Sequence, residues 1–166
     1  MNIKAERKYD SLLFDMDGTL WDAVDSYCAI WNAAIDVCCR QVPHVSYDRL
    51  AELMGKPIEY IFDVIIGKAC AYDNFMDALS HKERELMPVL GGRLYDGVTE
   101  TLRQLSKSYK LFLVSNCTAF GVPNFMRTTG LGPFFTDGIS YGETGLEKDA
   151  NNRIIVEKYD LQAPLY

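Results

Sequence analysis

The sequence lacks a long apolar run, a basic region and a paired-cysteine motif. No stretch approaches the roughly 20 apolar residues that a membrane helix needs, so no membrane partner is expected. The first ten residues carry Lys4, Glu6, Arg7 and Lys8 instead of the apolar region of a secretory signal. From these features we expect a cytoplasmic protein.

The net charge is −6, and no segment is rich in Lys and Arg. This argues against a nucleic-acid partner, although a few local donors and a metal ion can still hold a phosphate group on an acidic protein. The five cysteines are an odd number and form no C-x-x-C pair. A disulfide framework or a zinc site is therefore not expected.

Apolar runs separated by Gly, Pro and Asp indicate the order of the elements. Strands are predicted at 9–14 and 110–114 and, more weakly, at 135–139, because these short runs are typical of buried parallel strands. Helices are predicted around 98–106, 122–129 and 148–159. The alternation indicates an α/β fold with a parallel sheet and right-handed crossovers.

The segment between the first strand and Gly91 is different, since it predicts helices with no strand among them. Their expected spans are 24–40, 46–53, 57–66 and 73–87, the last ending near Pro88. We interpret residues 21–89 as a helical cap inserted into a core made of residues 1–20 and 90–166.

The strongest chemical signal is Asp15-Met16-Asp17-Gly18-Thr19, directly after the first strand. Ligands of parallel α/β sheets bind outside the carboxyl ends of the strands. There, one carboxylate can attack phosphorus while the other moves protons, and their closeness favours a bound Mg²⁺. Amides near Gly18 and Thr19 are candidates to donate to phosphate oxygens. The alternative is a strand that ends in an ordinary acidic turn.

This string resembles the first motif of the haloacid dehalogenase-like superfamily, and the resemblance covers essentially the whole chain. It implies a Rossmann-like core in which Asp15 is the nucleophile, Asp17 the acid and base, and both bind Mg²⁺. Ser115, followed by Asn116, matches the second motif and implies phosphate binding. Lys148 matches the third, although Asp149 stands where the family often has Pro. Taken alone, Ser115 and Asn116 would form an ordinary turn, and Lys148 would be a surface lysine.

A helical cap after the first motif is similar to the branch that contains phosphoglycolate phosphatases and β-phosphoglucomutases. In that branch a cap loop with Gly and a basic residue reaches the substrate. Gly55 and Lys56, followed by Pro57, are the matching loop, which on its own would be a turn that joins two helices.

The family's fourth motif, an acidic pair after a further strand, is not found in the sequence. The chain ends at Tyr166, where that strand is expected to start, so we expect a truncated core. The first strand would then lie at an open edge, which favours self-association.

The resemblance implies a Mg²⁺-dependent phosphatase that hydrolyses a small phosphorylated metabolite, as phosphoglycolate phosphatases do, through an aspartyl-phosphate. Three alternatives remain open. A β-phosphoglucomutase-like phosphomutase would share the core, and a non-catalytic member is compatible with the absent fourth motif. A haloacid dehalogenase has no need for a second acid such as Asp17.

Overall fold

A computed structural model describes residues 8–166, so the predicted core segment 1–20 lies partly outside the described residues. The strands are β1 (Ser11–Phe14), β2 (Trp21–Asp22), β3 (Arg93–Leu94), β4 (Lys110–Ser115), β5 (Asp137–Ser140) and β6 (Pro164–Leu165). The helices are α1 (Val24–Cys38), α2 (Tyr47–Ala51), α3 (Ile58–Ile65), α4 (Tyr72–Leu90), α5 (Val98–Leu105), α6 (Gly121–Thr128), α7 (Tyr141–Thr144) and α8 (Lys148–Lys158).

Four parallel strands form the main sheet in the order β5-β4-β1-β6. The apolar run of β4 is buried on both faces, as a central parallel strand requires. On one face Phe112 and Val114 pack with Ile155 of α8. On the other, Leu111 and Leu113 share a core with α6. The predicted Rossmann-like α/β fold is therefore confirmed.

The edge beside β1 differs from the prediction. Residues Pro164 and Leu165 pair in parallel with Ser11 and Leu12, so β1 has a neighbour on both sides and is not an edge strand. The expectation of an open edge at β1 was wrong. Two residues that begin with Pro give too weak a strand signal to be found from sequence, because Pro lacks the N–H of a ladder residue.

Helices α1 to α4 follow one another as predicted, with bounds shifted by a few residues. Helix α1 packs on α4 through Trp31 and Phe75, whose ring centroids are 5.2 Å apart. The side chain of Ser46 caps α2 by accepting a hydrogen bond from the Arg49 amide, 3.3 Å away. Helix α4 runs through Pro88 and ends before Gly91, three residues later than expected. A proline in the last turn removes only one helical hydrogen bond.

Strands β2 and β3 form an antiparallel pair that the sequence did not reveal. They lie where the chain leaves the first strand for the helices and where it returns from α4. Gly92 is required there, because a Cβ at this position would lie 2.5 Å from Cε3 of Trp21. With two residues each, β2 and β3 are too short to give a period-two pattern. The division of the chain near residues 20 and 90 stays a prediction.

Candidate active site

The predicted site residues lie where neighbouring parallel strands end. Asp15 follows β1 directly, and Ser115 is the last residue of the adjacent strand β4. Lys148 is the first residue of α8, which packs against β4 and β5. Because parallel strands present their carboxyl ends at one edge, the topology brings these residues together as expected.

Asp15 and Lys148 form an ion pair, with Lys148 Nζ 2.7 Å from Asp15 Oδ1. About a third of each side chain is exposed. The start of α8 is held by Asn151, which is fully buried. The amide of Asn151 accepts a hydrogen bond from Thr144 Oγ1 at 2.8 Å and donates to the Leu146 carbonyl at 2.9 Å. Sequence reasoning missed this supporting residue, since a single Asn in a polar helix carries no signal.

The carboxyl group of Asp17 points into the protein, where Oδ1 accepts a hydrogen bond from Trp21 Nε1 at 2.9 Å. Burial raises the pKa of Asp17 to about 6; the nearby charge of Asp15 adds to this shift, and the bond from Trp21 and the charge of Lys148 oppose it. The Tyr27 hydroxyl lies close enough to lower this pKa slightly, but it makes no hydrogen bond of normal geometry within residues 8–166.

Gly18 and Thr19 form the turn that follows Asp17. Gly18 has a φ of 75°, and its amide donates to the Trp21 carbonyl, 3.0 Å away. The Thr19 amide donates to the Met16 carbonyl at 3.3 Å. These two amides are used inside the turn, and phosphate binding by amides near Gly18 and Thr19 stays a prediction. The Thr19 hydroxyl lies 3.4 Å from Asp15 Oδ2.

Ser115 and Asn116 lie on the floor of a pocket beneath the helices. Ser115 is 1% exposed, and its hydroxyl accepts a weak hydrogen bond from the Cys117 amide at 3.3 Å. Asn116 Nδ2 donates to the Gly55 carbonyl at 2.9 Å. The loop of Gly55 and Lys56 therefore contacts the strand edge, and both loop residues line the same pocket as Asp15.

The pocket has an empty volume of about 610 Å³ between the strand edge and the helices. Its acidic and basic lining residues are Asp15, Asp17, Glu83 and Lys56. The remaining wall is largely apolar, with side chains from α1, α3, α4 and the segment that includes α2. A largely apolar wall with a few polar and charged groups is the kind of lining found in small-molecule sites.

Glu83 of α4 is the main lining residue that sequence reasoning missed. It is 2% exposed, and its Oε2 accepts a hydrogen bond from Thr118 Oγ1 at 2.6 Å. Burial raises its pKa from 4.5 to about 7. A signal was present, because Glu83 lies four residues after buried Leu79 and four before buried Met87, on the apolar side of the helix.

The fit to a metal ion rests on two acids. Within the described part of the chain, no group of three or more His, Cys, Asp or Glu residues is placed to hold a metal. Mg²⁺ often binds through one or two carboxylates together with phosphate and water oxygens. The Asp15 carboxylate and the backbone carbonyl of Asp17 supply oxygen donors, so the residues present suit Mg²⁺ when a phosphate ligand completes the shell.

The fold and this site define a Rossmann-like α/β protein with paired acids and a lysine at the strand edge. The chain belongs to the haloacid dehalogenase-like hydrolases, since the model of that family matches residues 12–157. A search of curated proteins found no significant match. Among residues 8–166, no helix combines the length and apolarity that crossing a membrane would take.

Solved structures with the same fold include phosphatases and a phosphomutase. A predicted phosphoglycolate phosphatase from Haemophilus somnus 129PT is 21% identical, with a TM-score of 0.79; the match covers 93% of this chain and 73% of that one. A predicted phosphatase from Clostridium acetobutylicum is 17% identical, with a TM-score of 0.76, 95% and 74% of the two chains being covered. For a candidate β-phosphoglucomutase from Thermotoga maritima the identity is 19%, the TM-score 0.63, and the coverage 92% and 72%. Such identities establish the fold alone.

Proposed function

We propose that this protein is a Mg²⁺-dependent phosphatase that hydrolyses a small phosphomonoester in the cytoplasm. The observation that carries the proposal is the Lys148–Asp15 pair at the carboxyl edge of β1, next to Ser115, which ends the adjacent strand, and Asn116, which follows it. A carboxylate, a lysine and hydroxyl and amide groups at one strand edge are suited to transfer of a phosphoryl group.

In the proposed reaction, Asp15 attacks the phosphorus atom in line with the leaving oxygen and forms an aspartyl-phosphate. Asp17 gives its proton to the leaving oxygen, so that the alcohol departs neutral. Asp17 then takes a proton from the water that attacks the aspartyl-phosphate, which releases phosphate and restores Asp15. Ser115, Asn116 and Lys148 hold the phosphoryl oxygens.

The Asp15 carboxylate and Asp17, through its carbonyl oxygen, would hold the Mg²⁺ ion. When bound, the ion reduces the repulsion between the phosphate and the carboxylates. Lys148 also offsets negative charge on Asp15, because Lys148 Nζ lies 2.7 Å from Asp15 Oδ1.

Residues 21–89 are proposed to act as a cap over this site. The Gly55–Lys56 loop meets the strand edge through Asn116, so Lys56 is placed to contact the alcohol part of the ester. The pocket brings Asp15, Ser115 and Asn116 together with Lys56 of this loop, which supports a small phosphorylated metabolite as substrate. A phosphomutase remains the second candidate, and transfer from a sugar bisphosphate with little release of phosphate would identify it.

The test is Mg²⁺-dependent release of phosphate by the chain and by Asp15→Asn. We expect no measurable turnover for Asp15→Asn with an unchanged fold, because the nucleophile is lost. Asp17→Asn should slow the reaction by a factor of ~10²–10⁴ with poor leaving groups. Asp63→Asn, an exposed position on α3, is the matched control and should keep the full rate. Activity of Asp15→Asn within tenfold of the unchanged chain would exclude this mechanism.

A further inference from the structure

Among the pocket-lining residues within 8–166, the Tyr27 hydroxyl, which can donate or accept, is buried without a hydrogen-bond partner, and so are two acceptor oxygens. The first is Oε1 of Glu83, whose other oxygen is bonded to Thr118. Glu83 is 2% exposed and is one of the pocket-lining residues, so Oε1 is shielded from bulk water. Buried acceptors without a donor are rare and destabilising, which points to a group that binds there.

The second is Oδ1 of Asn116. The orientation of this amide is fixed, because Nδ2 donates to the Gly55 carbonyl at 2.9 Å. Turning the amide over would place two acceptor oxygens against each other. Oδ1 of Asn116 is therefore an acceptor, and Nδ2 keeps a second N–H that can donate to a phosphoryl oxygen.

The surroundings of these acceptors are apolar. The wall includes Ile30, Trp31, Leu50, Met54, Ile61 and Leu79. Among the charged lining residues, the acids Asp15, Asp17 and Glu83 outnumber the single base, Lys56. Above about pH 7, where Glu83 is ionised, little water is present to weaken its negative charge. A carboxylate on the ligand is then repelled, and a hydrogen-bond donor is favoured.

We propose that Glu83, together with Asn116, selects a phosphate ester whose alcohol part carries a hydrogen-bond donor, a hydroxyl or an ammonium group, and disfavours one that carries a carboxylate. This inference rests on the proposed phosphatase function, since it describes the leaving group of that reaction. Acids such as phosphoglycolate are therefore not the expected substrates, although the Lys56 cation lines the same pocket.

Three esters that share a two-carbon alcohol test the inference. They are 2-hydroxyethyl phosphate, 2-aminoethyl phosphate and 2-phosphoglycolate, which differ only in the terminal group. Their dissociation constants are measured with Mg²⁺ present by calorimetry on Asp15→Asn, and their kcat/KM values on the unchanged chain. Above about pH 7, where Glu83 is ionised, we expect the carboxylate ester to bind at least tenfold more weakly than both of the others.

Glu83→Gln keeps the size of the side chain and its bond to Thr118 but removes the charge. It should reduce the discrimination against the carboxylate ester at least fivefold. The control is Glu85→Gln on the same helix, since Glu85 is half exposed and pairs with Lys82 at 2.8 Å. It should leave the order of the three esters unchanged.

Two results would overturn the inference: tight binding of the carboxylate ester at the level of the other two, or undiminished discrimination in Glu83→Gln. If Glu83→Gln does not fold, the ranking of the esters with Glu83 intact decides alone. Hydrolysis of a simple aryl phosphate separates the two proposals. An active chain with the wrong ranking refutes only the role of Glu83, whereas an inactive chain refutes the phosphatase.

Discussion

Lys148 Nζ and Asp15 Oδ1 lie 2.7 Å apart although 133 residues separate them in the sequence. The pair joins the first residue of α8 to the residue that follows β1. Both side chains remain about one-third exposed, so they are accessible from the site. A lysine in this position balances charge on a carboxylate and is available to a phosphoryl group.

Replacing Lys148 with Ala should lower kcat/KM for phosphate esters by roughly 10²–10³, the usual loss when one charge-stabilising donor is removed. Lys158→Ala is the matched control, because Lys158 lies on the same helix and pairs with Asp137 at 2.8 Å, away from the pocket. It should stay within twofold of the unchanged chain. Steady-state kinetics and phosphate binding give the comparison. Unchanged kinetics with lower stability in Lys148→Ala would make Lys148 a structural residue.

Replacing Lys56 with Ala should change the preference among phosphate esters, since Lys56 lines the pocket on the loop that contacts Asn116. We expect the ratio of kcat/KM between two esters with different alcohols to shift at least fivefold. Hydrolysis of a minimal aryl phosphate should change much less. Lys68→Ala, at an exposed position after α3, is the control. Equal losses on every ester would contradict a role in specificity.

Stability should depend on pH through Glu83. Burial raises its pKa from 4.5 to about 7 in the folded chain. The folded state therefore holds this proton more tightly than the unfolded state, and its contribution is complete below about pH 4.5 and is lost as the pH rises through 7. Glu83→Gln, which cannot ionise, should gain on the order of 3 kcal/mol in free energy of unfolding relative to the unchanged chain between these limits. Urea unfolding of both chains from pH 4 to 8 measures the difference in their free energies of unfolding. A difference that does not change with pH would contradict the burial of a titrating acid.

Asp10 should hold the last strand in place. Its Oδ2 accepts hydrogen bonds from the amides of Gln162 and Ala163, at 2.7 and 3.2 Å, just before β6. Asp10→Ala should cost about 1–3 kcal/mol. It should also increase self-association, because release of β6 exposes the edge of β1. Urea unfolding and light scattering measure both effects, with Asp63→Ala as control.

The contribution of Asp10 to stability depends on pH in the opposite direction to that of Glu83. Burial tends to raise the pKa of Asp10, but bonds from Ser11 and from the two amides outweigh it and leave the pKa lowered. Its contribution is therefore present above about pH 4 and is lost as the pH falls further. The difference in stability between the unchanged chain and Asp10→Ala should shrink in acid. A difference that persists at pH 2 would show that the carboxylate charge is not involved.

The sequence by itself determined the class of fold and where to look for its chemistry. Strands β1 and β4 have dense apolar runs, and Asp15, Ser115 and Lys148 stand at their ends or at a helix start. Such signals are local, because burial on both faces of a parallel strand requires continuous apolar residues. The rule that parallel strands present their carboxyl ends together then places the three residues at one edge.

Only the tertiary structure decided which groups meet at that edge. Strands β2, β3 and β6 have two residues each and exist through pairing with distant partners. The amides of Gly18 and Thr19 donate hydrogen bonds to the carbonyls of Trp21 and Met16, and so form part of the turn. Glu83 became a pocket residue because α4 turns this face of the helix towards Thr118. Hydrogen bonds and burial between segments far apart in the chain depend on packing, which no local pattern of residues specifies.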